Sequence, residues 1–166
     1  MTNTNNQPKM SKGFTMIELI FVIVIIGILA SVAIPRLAAT RDDAKIATAL
    51  SETGMILREV TSYYTANGSF SDTASDMSNI TTLLSEGNFS DNNSTVKLTY
   101  QTPSNNGTDL EKCVTFTLSN ASGQVTVEKE ATDLGTGNVC QGIVGSNTFT
   151  KKLAKVHTVG GSNVHF

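Results

Sequence analysis

From Phe14 to Pro35 the chain reads FTMIELIFVIVIIGILASVAIP, an apolar run that carries one charge, Glu18. Its length, about 22 residues, gives about 33 Å of helix against a hydrocarbon core of about 30 Å, and so predicts a membrane-spanning helix. Beyond Pro35 the helical period persists but becomes one-sided. Ile46, Leu50, Leu57, Val60 and Tyr64 recur on one stripe, while Arg41, Asp42, Asp43, Lys45, Glu52, Arg58 and Glu59 lie mostly off it. Asn67-Gly68 supplies the stop. The pattern predicts one helix over residues 14–66, with a membrane half at 14–35 and an amphipathic half at 36–66 that packs its stripe on a head. Pro35 lacks the amide that would bond the Ser31 carbonyl, so a kink or local melting is expected over 31–35, and Gly27 weakens the same stretch.

Residues 67–94 are rich in Ser, Asp and Asn and read as a connecting loop, with a short helix around Ile80, Leu83 and Leu84 ended by Gly87. Strand alternation follows: Val96, Leu98 and Tyr100, then Val114, Phe116 and Leu118, then Val125 and Val127, with turns at Pro103–Gly107 and Asn120–Gly123. Such short turns predict an antiparallel sheet with one face on the helix stripe. A fourth strand is expected near Val139–Val144, and the tail from Thr150, with Lys151, Lys152 and Lys155, is given no regular element. The fold class is α+β: a long N-terminal helix on a small antiparallel sheet head occupying residues 95–166.

Composition sharpens this division. A chain of 166 residues suits one fold unit, and a mean hydropathy of −0.03 averages an apolar start with a polar remainder. Lys and Arg number 12 against 14 Asp and Glu, which excludes a global basic field for nucleic acid and leaves room only for a local patch. A secretory signal peptide would also open on basic residues, here Lys9 and Lys12, and end on small ones, here Ala30-Ser31-Val32-Ala33. Glu18 argues against that reading. A lone charge at mid-bilayer costs about 3 kcal/mol, so this carboxylate needs a partner or a proton. Lys9 and Lys12 before the span are balanced by Arg36, Arg41 and Lys45 after it, so loop charge leaves the orientation open.

Catalytic chemistry finds little footing. Cys113 and His157 would make a nucleophile and base, but no third residue is singled out to orient them. His157 and His165 stand alone in a polar tail, no spacing suits zinc, and no glycine-rich turn follows a strand to cradle phosphate. Neither an enzyme, a cofactor nor a metal site is expected. Asn88 in EGNFS and Asn93 in DNNST fit an acidic-extended bacterial glycosylation sequon, in a region whose composition also reads simply as surface loop.

The segment KGFTMIELIFVIVIIGILASVAIP resembles the N-terminal signature of type IV pilins and of the pseudopilins of type II secretion systems. The resemblance joins the basic leader 1–13, the Gly13-Phe14 junction, the glutamate, the apolar length and the proline in one register. It implies cleavage after Gly13 by a prepilin peptidase, N-methylation of Phe14, an assembly role for Glu18, and helix bending at Pro35. It also implies that residues 14–35 serve as filament core once the helix leaves the membrane. The new amine at Phe14 and the carboxylate of Glu18 would pair between staggered subunits, worth ~1 kcal/mol in water and ~4 kcal/mol at an effective dielectric of 20. The implied partners are copies of the chain and other pilin-like subunits, the prepilin peptidase, and an inner-membrane platform with its ATPase; no direct nucleic-acid contact is expected.

On this resemblance the head lies in the periplasm beyond a single inner-membrane span. There Cys113 and Cys140 read as a disulfide, worth ~3.5 kcal/mol by loop entropy. Cys113 has the opposite strand parity to Val114 and Phe116, which places the bridge on the sheet face away from the helix. SYYTANGSF resembles the helix end of major pseudopilins, many of which bind calcium in a C-terminal loop; here Asp133 beside Gly135 and Gly137 offers a single carboxylate, poor ligation for that ion. The expected function is a structural subunit of a type II secretion pseudopilus. A subunit of a type IV pilus for adhesion, motility or DNA uptake is one alternative, and a monomeric membrane-anchored binding module is another. Intact mass and N-terminal sequencing of membrane-extracted protein should give a methylated Phe14 as first residue; a chain beginning at Ile34 would establish ordinary signal-peptide cleavage instead.

Overall fold

Fifty-two residues, Met16–Asn67, form α1, the helix that the apolar run and the following stripe predict. The structure, a computed structural model, describes residues 13–87, 89, 95–105 and 107–159. After α1 come α2 (Ala74–Met77), β1 (Leu83–Glu86), β2 (Thr95–Pro103), β3 (Leu110–Ser119), β4 (Gln124–Lys129), α3 (Asn138–Gly145), a π-helical turn Phe149–Leu153 and β5 (Val156–Thr158). The chain divides after Thr40 into two units, so α1 contributes to both.

In the first unit the helix is apolar all round and its large side chains are exposed, from Phe14 at 86 % to Ile34 at 67 %. Its most apolar 18-residue stretch has a mean hydropathy of 3.0, long and apolar enough to cross a membrane. The helix is unbroken across residues 31–35, so Pro35 does not melt it. The Ser31 hydroxyl, one turn before the proline, bonds back to the Ile28 carbonyl at 2.8 Å.

The second unit is the head. Its five strands lie in the order β1-β2-β3-β4-β5, every neighbouring pair antiparallel. Val96 and Leu98 of β2, Val114, Phe116 and Leu118 of β3, and Val125 and Val127 of β4 are fully or almost fully buried, as the alternation predicts. The head half of α1 contributes Ala49, Thr53, Ile56 and Val60 to the same core. The predicted stripe is offset from this line: Val60 is fully buried, while Ile46, Leu50, Leu57 and Tyr64 flank the core and pack on it partly buried. Thr53 can sit in the core because its hydroxyl bonds the Ala49 carbonyl at 2.8 Å. Tyr100 ties sheet to helix by donating to Glu52 Oε2 at 2.6 Å, and burial, with that contact, pushes its phenol above the usual range.

Three elements differ from expectation. Leu83–Glu86 is the edge strand β1 and not a helix, pairing Leu83 with Tyr100 and Glu86 with Lys97; the helical turn lies upstream in α2. Residues 67–94 are thus more than a connecting loop. Val139–Val144 lies in a helix, because Val139, Cys140 and Ile143 share the buried side of α3. The fifth strand comes from the tail, where Val125 pairs with His157.

The sulfur bridge also differs in its face. Cys113 and Cys140 are joined, with Cα atoms 5.4 Å apart. Between β2 and β3 the register slips: Tyr100 opposes Val114 and Gln101 opposes Lys112, leaving Cys113 as an extra residue in a bulge. The bulge reverses local parity, so Cys113 is fully buried beside Val114 and not turned outward. Its partner lies on α3, whose Gly142 meets the Ile46 side chain of α1, so the bridge staples the helix side of the sheet. On the other face Lys112 reaches across β2 to Glu86 at 2.8 Å. The Thr115 hydroxyl donates to Glu130, which also receives the amides of Ala131 and Thr132.

Replacing both cysteines by serine should lower head stability by about 2–5 kcal/mol. Nonreducing peptide mapping should show the linked pair, and thiols free to alkylation at both positions would contradict it. Glu130 gives a second test. The Thr115 hydroxyl and the turn amides hold its carboxyl below the ordinary value, so it stabilises the head above the unfolded-state pKa and loses that contribution as pH falls through the folded one. Glu130→Gln should therefore flatten the acid limb of a stability-against-pH curve.

Candidate processing and assembly site

The residues that the resemblance singles out lie at the start of α1. Gly13, Phe14 and Thr15 precede the helix, which begins at Met16, and both Gly13 and Phe14 are exposed. No atom approaches within 4 Å of where a Gly13 side chain would begin. The Gly13-Phe14 bond thus lies in open, non-helical chain.

Glu18 has its partner within the same chain. The Thr15 amide donates to Glu18 Oε2 at 2.9 Å and the Thr15 hydroxyl donates to the same oxygen at 2.7 Å. In return the Glu18 amide donates to the Thr15 hydroxyl oxygen at 3.3 Å. This is a capping box, in which a threonine and a glutamate three residues on satisfy amides that the first helical turn leaves without acceptors. The negative carboxylate also suits the positive end of the helix dipole. Sequence reasoning sought a partner for Glu18 in a neighbouring subunit and overlooked Thr15; the signal was the spacing Thr15-x-x-Glu18 directly before an apolar run.

Pro35 lies inside α1, among side chains that are exposed on every side. The helix ends where Asn67-Gly68 predicts: Gly68 adopts φ 74°, a conformation that favours glycine, and its amide bonds the Tyr64 carbonyl at 2.7 Å. The Tyr64 and Phe70 rings meet across this turn at 4.5 Å.

In the head the remaining candidates do not converge. The Cys113 sulfur is bonded to Cys140, and His157 contacts the Leu153 carbonyl at 3.0 Å, so the nucleophile and base are not assembled. Asp133 is exposed, and among the described residues no group of three His, Cys, Asp or Glu could hold a metal ion. Gly135 and Gly137 have another use: the Glu111 side chain fills the space where their side chains would begin and accepts the Gly137 amide at 2.7 Å. The leader residues Lys9 and Lys12, the sequon residues Asn88 and Asn93, and His165 lie outside the described residues.

A family model described as the prokaryotic N-terminal methylation motif matches residues 8–34. Neither a curated protein nor a solved structure matches the chain. The matched residues span the leader junction, the Thr15–Glu18 cap and the apolar half of α1, and the head that follows has a five-stranded antiparallel sheet packed on that helix's second half. This chain carries the prepilin-type signal of type IV pilins and pseudopilins, on a pilin-like α+β fold.

Proposed function

We propose that the protein is a structural subunit of a type II secretion pseudopilus, held first in the inner membrane with its head in the periplasm and then polymerised to drive protein export. The observation that carries this reading is the methylation motif over residues 8–34, set on an apolar helix whose side chains are exposed all round. A helix of that kind needs lipid or other apolar helices around it, and a filament core supplies the latter. The likeness of SYYTANGSF to the helix end of major pseudopilins favours the secretion machine over a surface pilus.

In this mechanism a prepilin peptidase cuts after Gly13 and methylates Phe14, which becomes a cation one residue before the Glu18-bound Thr15. Glu18 then recruits the amine of a neighbour, and the platform ATPase lifts each subunit out of the bilayer into register. The work is mechanical and the chain does no chemistry of its own. Loss of one charge pair per interface, ~1–4 kcal/mol, weakens each step by roughly fivefold at the low end and several hundredfold at the high end.

Glu18→Ala should insert at least as well as the parent, because it removes a carboxylate from the apolar segment. Leader cleavage should persist while cross-linked ladders in overproducing cells fall about fivefold or more. Normal ladders would refute the assembly role and favour the monomeric anchored module. Deleting the gene should abolish export without removing long surface filaments; lost filaments with intact export would assign the chain to a type IV pilus.

A further inference from the structure

Two cations and one carboxylate, Arg41, Lys45 and Glu52, line a cavity of about 470 Å³ between the first turns of α1 in the head and strand β2. Their spacings of four and seven residues put all three on one line of the helix. Arg41 and Lys45 are exposed, and among the described residues neither is in a salt bridge. Asp42 and Asp43 stand on the same turns but outside the lining, and the Asn138 side-chain amide donates to Asp42 at 3.1 Å. Ala49 and Val139, both buried, add apolar wall.

The sheet closes the Glu52 end. Tyr100 donates to Glu52 Oε2 at 2.6 Å, which leaves Oε1 without a hydrogen bond among the described residues. Thr82 stands directly before β1, where its carbonyl accepts the amide of Gln101, the neighbour of Tyr100, at 3.1 Å. Thr82 lines the same cavity, and its hydroxyl is buried with no hydrogen-bond partner. Buried hydroxyls are seldom left so, and a group carrying several N–H donors would serve Glu52 and Thr82 together.

We propose that this cavity binds the headgroup of a phospholipid that ends in a primary ammonium, phosphoethanolamine, with Arg41 and Lys45 on the phosphate and Glu52 on the ammonium. The chain presents its groups in the lipid's own order: apolar span, two cations and then the carboxylate, against acyl chains, phosphate and then ammonium. Arg41 follows Pro35 by six positions, so even fully extended chain keeps it within about 22 Å of the end of the apolar run, where headgroups begin. Lys45 and Glu52 are about 10 Å apart along the helix, a gap that two side chains bridge through an aminoethyl phosphate. Arginine offers phosphate oxygens a fork of N–H donors and lysine a compact charge. The carboxylate favours an ammonium over the uncharged end of phosphatidylglycerol, and N–H donors over the methyl groups of choline. The inference rests on the membrane-held stage of the reading above and not on polymerisation.

Native mass spectrometry of the full chain in nondenaturing detergent tests this, with dioleoyl phosphatidylethanolamine, phosphatidylglycerol and phosphatidylcholine competing in equal amounts. The parent should retain phosphatidylethanolamine about fivefold over either rival. Arg41→Gln combined with Lys45→Gln should lower that retention about fivefold or more. Glu52→Gln, which still accepts the Tyr100 hydroxyl, should bring phosphatidylethanolamine level with phosphatidylglycerol. Glycerophosphoethanolamine, the same headgroup without acyl chains, should not displace the lipid at equal concentration; displacement would assign a soluble ligand and overturn the lipid. Retention without headgroup preference, preference for phosphatidylglycerol, or a preference that survives these substitutions overturns the site, while cross-linked ladders of the parent keep the polymer reading. Protein recovered in the soluble fraction without detergent overturns both.

Discussion

Everything in this chain answers to one constraint: the first half of α1 exposes a continuous apolar surface that water does not tolerate. Phe14, Met16, Ile17, Leu19, Ile20, Phe21 and the isoleucines and valines that follow are all more than two-fifths exposed. At about 1.5–3 kcal/mol for each large side chain, the drive to cover them is tens of kcal/mol, far above the stability of a typical domain. The head cannot supply that cover, because its own core closes on the second half of the helix, from Ala49 to Val60. Lipid or like helices must do so. Membrane anchoring and packing against other subunits are therefore two answers to one energetic demand.

Glu18 is the single charge in this segment and the capping box shows how the chain tolerates it. At a helix start the carboxylate does two things at once: it accepts an amide that would otherwise be orphaned and it faces the favourable end of the dipole. On the polymer reading, the neutral Thr15 contact is also exchangeable. A hydrogen bond from an ammonium is roughly twice as strong as one from a neutral donor, so a neighbour's amine can displace or share the oxygen that Thr15 holds. The cap keeps the group satisfied in the lone subunit without committing it.

Long periodic segments were legible in the sequence, and short ones were not. The start and end of α1 fall within two residues of expectation, and β2, β3 and β4 follow the alternation at Val96, Val114 and Val125. β1 has four residues, too few for a period of two to be told from 3.6, and what decides it is the unpaired edge of β2. Val139–Val144 is an apolar run of the same ambiguous length, settled as a helix by burial of Val139, Cys140 and Ile143. The bulge at Cys113 was invisible, because nothing in a strand's alternation announces an extra residue, and one residue suffices to move the bridge to the opposite face. In α1 the stripe was read from large residues, whereas Ala49 and Thr53, small or polar, are buried in the core.

These departures meet at α3. Its first amides are received by Glu111 and Asn105, and its Asn138 side chain donates to Asp42 at 3.1 Å, where α1 begins its course in the head. One turn on, Gly142 leaves room for Ile46, and Cys140 is fixed covalently to β3. A polar contact, an apolar contact and a disulfide thus join the first turns of the head's helix to the middle of the sheet within eight residues of chain, Asn138–Gly145. Of the three links only the disulfide is covalent, and it lies buried on the helix side of a sheet whose strands β2, β3 and β4 share a closed core.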